Sequence, residues 1–102
     1  MTDTEEPRRL VERIGRENSD RAGVAHAHDT LSRLAPAVVT PLVEAELMHL
    51  DALIERSQRA LVEYSDSEAA QDQFEGQIAV FETGKRLLRE LLTEIGASRT
   101  GC

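Results

Sequence analysis

The sequence predicts an all-α protein: an antiparallel, coiled-coil-like two-helix hairpin preceded by a short N-terminal helix. Two hydrophobic stripes carry that expectation. One runs through Val43, Leu47, Leu50, Ile54, Leu61 and Tyr64, the other through Phe74, Ile78, Phe81, Leu88, Leu92 and Ile95. Each advances in alternating steps of four and three once Ser57 and Lys85 fill the gaps, which keeps the apolar side chains on one helical face. The third observation is the polar segment between them, Ser65-Asp66-Ser67-Glu68, in which Ser65 and Glu68 have capping-box spacing.

Taken in order, residues 1–29 are expected to hold a short helix and a flexible linker. Thr4 can cap the helix, Glu5 and Glu6 favour its positive end, and Pro7 suits a first turn. Its apolar face is only Leu10, Val11 and Ile14. Arg8, Arg9, Arg13 and Arg16 crowd the same stretch, either as a solvated face balanced by Glu12 and Glu17 or as a basic arm for an acidic partner. Asn18, Ser19 and Gly23 break the periodicity, so residues 18–29 read as linker. Residues 30–40 read as one or two short turns, punctuated by Pro36 and Pro41.

The hairpin domain is expected over residues 30–96. Thr40 and Pro41 open its first long helix as N-cap and first helical residue, and that helix runs to about residue 64. The second runs over about 66–95, where Gly96 offers a left-handed stop, and 97–102 form a frayed tail. Pairing residues equidistant from the turn sets Ile54 against Ile78, Leu50 against Phe81 and Val43 against Leu88. It also brings Glu46 or Leu47 level with Lys85, the only lysine, and a Glu46–Lys85 ion pair is expected to fix register at the edge of the seam.

The second helix carries surplus apolar surface through Gln77, Val80, Gly84, Leu87 and Leu91, more than one neighbour can cover. Gly76, Val80, Gly84, Leu87 and Leu91 are therefore the candidate interface. The glycines admit a close backbone approach, either by the N-terminal helix of the same chain or by a docking partner.

Composition narrows the function classes. With 102 residues, 3% aromatics and no Trp, the core must be aliphatic and small, which points to oligomerisation or docking on a larger protein. The single cysteine, Cys102, permits no disulfide within the chain and fits a reducing compartment. Formal charge is −7, and residues 35–102 hold twelve acids against six bases. Such a domain does not attract nucleic-acid phosphates, although it could occupy a basic site on a host protein as an acidic inhibitor. No apolar run reaches the ~20 residues of a bilayer span, and the N-terminus lacks the features of a secretion signal, so a cytoplasmic protein without membrane contact is expected.

Motifs for chemistry are sparse. Glu46 and His49 have the Glu-x-x-His spacing of ferritin-like metal sites, but further ligands would have to come across a subunit interface. His26, His28 and Asp29 form a weaker metal-binding pattern. No serine belongs to a recognisable nucleophile motif, Cys102 lacks a structured setting, and no glycine-rich phosphate loop is present. The expectation is a non-enzymatic protein with no cofactor, whose partners are proteins, a second copy of itself included.

Residues 41–92 resemble the small acidic helical-hairpin proteins encoded among virion and assembly genes of tailed bacteriophages. The resemblance lies in Pro41-Leu-Val-Glu44, Ser65-Asp66-Ser67-Glu68, Phe74-Glu-Gly-Gln-Ile78, and the pairs Leu87-Leu88 and Leu91-Leu92. It covers about half of the chain and implies a non-enzymatic role in particle assembly or head–tail structure, in the cytoplasm or incorporated in a virion.

Overall fold

The computed structural model describes the backbone of residues 5–100 and the side chains of residues 5–96. Thr4, the expected first cap, and Cys102 lie outside the described residues. The described chain is all-helical: α1 Glu5–Arg16, α2 Arg21–Ser32, α3 Pro36–Glu63 and α4 Glu68–Thr100. No described helix is long and apolar enough to cross a membrane.

α1 ends where Asn18 turns back. Its Nδ2 donates to the Ile14 carbonyl at 3.1 Å, satisfying one of the acceptors a helix end leaves open. The expected linker is corrected, because Arg21–Ser32 is a helix. Asp20 caps it, accepting the Gly23 amide at 3.2 Å, so the polar run 18–20 is the turn between two helices. Val24, Ala27 and Leu31 then give α2 its inner face, with Ala27 and Leu31 fully buried.

α3 begins at Pro36, a turn earlier than expected, with Ala35 in the cap position. Proline suits that first position because its missing N–H would be unpaired there in any case. Pro41 consequently lies inside the helix, and Thr40 is a helical residue instead of a cap. The connection to α4 is also shifted. Ser67, not Ser65, caps α4, its hydroxyl accepting the Ala70 amide at 3.1 Å. Gln71 closes the other end of this connection, donating from Nε2 to the carbonyls of Leu61 at 2.7 Å and Tyr64 at 3.2 Å. The Tyr64 and Phe74 rings stack beside it, centroids 6.2 Å apart. Gly96 does not stop α4: no described glycine has a positive φ, and the helix continues to Thr100.

α3 and α4 lie side by side, with Ser57 bonded to Gln77 and Asp51 paired with Lys85. One core joins all four helices: Val11 and Ile14 from α1, Ala27 and Leu31 from α2, Val39, Val43 and Leu50 from α3, and Leu88, Leu91 and Ile95 from α4. The molecule is elongated, 54 × 30 × 24 Å, because α1 and α2 cover only part of the length of the longer pair. Named contacts from the short helices reach Glu46 and Leu50 on α3 and Val80, Gly84 and Glu94 on α4. Nearer the connection, α3 and α4 have each other.

Candidate functional site

The expected Glu46–Lys85 pair is not formed. Glu46 binds Arg16 of α1 through a two-pronged fork, Arg16 Nε to Oε2 at 2.8 Å and Nη2 to Oε1 at 3.0 Å. Lys85 instead pairs with Asp51. Side-chain direction explains the change. A helical side chain leans toward its own N-terminus, so the long Lys85 leans toward the α3–α4 connection and meets an α3 residue nearer to it. Glu46 is left for the guanidinium that α1 brings over it.

The geometry of that fork makes it a structural element. Glu46 is 6% exposed and Arg16 35%. The hydrogen bond to the Glu46 carboxylate is the largest influence on Arg16; burial opposes it, while the charges of Glu46 and Glu12 add to it, and the net effect raises the guanidinium above its already high ordinary pKa. By linkage, a raised cation contributes stability below its unfolded pKa and loses it only as pH rises through the folded value. For an arginine that loss lies beyond any working pH, so the cationic half of the pair is permanent.

Commitment of Glu46 to Arg16 also changes the metal reading. Glu46 is turned inward and His49 is exposed, so the two do not converge on one ion. His28 Nε2 lies 2.7 Å from Glu94 Oε2, tying α2 to α4, while His26 is exposed. Among the described residues, no three His, Cys, Asp or Glu side chains are grouped to hold a metal ion.

The five candidate interface residues separate into distinct environments. Gly84 and Leu91 are buried inside the chain, which at Gly84 is the first of the two alternatives, approach by the N-terminal helix. A Cβ on Gly84 would fall 2.1 Å from the Gly15 carbonyl oxygen, so α1 and α4 cross backbone to backbone at two glycines. A Cβ on Gly15 would lie 2.9 Å from Glu46 Oε2, so the Glu46 carboxylate would have to shift to admit it. Asn18 locks the same crossing, donating to the Val80 carbonyl at 2.8 Å. Val80 and Leu87 are half-buried on its two sides. Gly76 is exposed, and a Cβ there would meet nothing within 4 Å.

Gly76 and Val80 instead belong to a groove of ≈ 710 Å³ where α1 ends and α3 and α4 continue. Leu53, Val80 and Phe81 supply its apolar surface, with Ser57 and Gln77 along the seam. Arg16 and Arg56 stand over it, and no carboxylate lines it, in a chain with 19 acids. Arg56 has no ion pair among the described residues. Leu53 and Arg56 escape a sequence reading because they sit off the heptad stripe, and only the end of α1 makes their face concave. Comparison with known proteins adds no relative: no protein-family model, no curated protein and no solved structure matches the chain.

Proposed function

We propose that this chain is a non-enzymatic interaction protein that works by helix–helix docking onto a protein partner, which can be a second copy of itself. In this reading α3 and α4 act as an antiparallel hairpin. The docking element is the stretch where α1 ends and α3 and α4 continue toward their connection. The observation that carries the proposal is the groove of Leu53, Gly76, Val80 and Phe81, an apolar surface with bare backbone at Gly76 and only arginines over it. Bare backbone lets another helix approach closely, and each half-buried apolar side chain covered there contributes roughly 25 cal/mol per Å² removed from water. The resemblance of residues 41–92 to bacteriophage assembly proteins gives the proposal its specific form, a part in particle assembly or head–tail structure.

The test is light scattering on the chain alone and with the products of adjacent genes, comparing wild type with Gly76→Leu. The substitution puts a side chain over the bare backbone of the groove, at a position where a Cβ meets nothing within 4 Å. A complex or oligomer that forms with wild type and is lost in Gly76→Leu supports the reading. A chain that stays monomeric and partnerless, or a complex indifferent to Gly76→Leu, overturns it.

A further inference from the structure

A second recess lies between the α1–α2 turn, α2 and α4, and none of the docking-groove residues lines it. Its volume is ≈ 730 Å³, within the ~300–1,000 Å³ typical of small-molecule sites. The apolar part is built from three helices: Ile14 of α1, Val24 of α2 and Leu87 of α4. Val24 and Leu87 pack against the core with one side and leave the other half open to the recess.

The polar part is predominantly cationic. Arg21 and Arg86 both line the recess and are exposed. Arg21 has no ion pair among the described residues, and Arg86 reaches Glu90, the one carboxylate in the lining, only at 3.8 Å. His28, also in the lining, is already occupied by Glu94. Two guanidiniums thus share the recess with one carboxylate, which only Arg86 engages and only at long range, in a chain of formal charge −7.

We propose that this recess binds an amphipathic organic anion, a carboxylate carrying an apolar tail. The tail lies over Val24 and Leu87, above the buried Ile14, and the carboxylate accepts hydrogen bonds from Arg21 and Arg86, whose planar forks match its geometry. An inorganic anion would gain nothing from the apolar surface, and an amphipathic cation would meet two like charges. Because the walls come from different helices, the bound anion would bridge α2 to α4, a pair whose one polar side-chain link among the described residues is His28–Glu94.

Decanoate is a suitable probe, titrated below its self-association concentration into the full chain and followed through backbone amide shifts. Saturable shifts are expected at Val24, Thr83 and Leu87. Affinity should fall about tenfold in Arg86→Gln and further in the Arg21→Gln/Arg86→Gln double variant, as loss of charged hydrogen bonds requires. Decyltrimethylammonium, with the same tail and the opposite charge, should not bind wild type. The proposal is overturned by equal binding of the cationic probe, by undiminished decanoate affinity in the double variant, by shifts confined to the Leu53–Phe81 groove, or by the absence of saturable shifts. The two-probe comparison on wild type keeps the test independent of how the variants fold.

Discussion

Gly84 and Gly76 lie about two turns apart on α4, and their surroundings are opposite. A methyl group at Gly84 would overlap the Gly15 backbone, whereas at Gly76 it would meet nothing within 4 Å. The first glycine belongs to the end of the molecule where four helices share one core. The second belongs to the end where α3 and α4 have only each other. The same residue type is a requirement of the fold in one place and dispensable to it in the other. Burial follows the same division: Val43, Leu50, Leu88 and Leu91 are fully buried, whereas Leu53, Leu61, Phe74, Ile78 and Val80 remain half-covered.

Substitutions can break or sharpen this contrast, and the largest effect is expected at the crossing. Gly84→Ala should cost about 3 kcal/mol or more in chemical denaturation, because α1 must lift away to admit the methyl group. A cost below 1 kcal/mol would show that the two backbones are not in contact. The Arg16–Glu46 fork comes next, and its two halves should be unequal. Arg16→Met should cost about 3 kcal/mol by leaving a buried carboxylate without its cation, whereas Glu46→Gln should cost about 1–2 kcal/mol because Arg16 can turn into water. Equal losses would contradict the difference in their burial.

Smaller effects are expected near the α3–α4 connection. Ser67→Ala should cost about 1 kcal/mol through loss of the α4 cap, and Ser65→Ala only a few tenths. The reverse order would restore the cap to Ser65. Smallest, and opposite in sign, is Gly76→Ala, which should raise stability by about 0.5–1 kcal/mol because alanine restricts the unfolded chain and meets no obstacle in the helix. A loss of stability there would mean that Gly76 is closely packed in the folded chain.

The parts legible in the sequence were those set by local pattern. The stripes through Val43–Ile54 and Phe74–Ile95 place most of the α3 and α4 residues that reach the core. α2 was hidden because Asn18, Ser19 and Gly23 look like breakers, while its inner face depends on Ala27, which is too small to mark a stripe. Asp20 three residues before Gly23 was the available signal for a cap. The start of α3 was obscured by two prolines, either of which suits a first turn. Glu46 and Arg16 are thirty residues apart, and nothing local joins them. Their meeting depends on where α1 lands, which the Gly15–Gly84 crossing decides. The groove is tertiary for the same reason: Leu53, Arg56 and Gly76 become one surface only where α1 stops.

Native-state hydrogen exchange tests the central division most directly, since it reads local opening along both long helices in one sample. Amides around Val43–Leu50 and Leu88–Leu91 are expected to exchange only through global unfolding. Those around Ala60–Glu63 and Gln71–Phe74 should open at distinctly lower free energy. Equal protection along the whole length of α3 and α4 would contradict a molecule locked by four helices at one end and left open at the other.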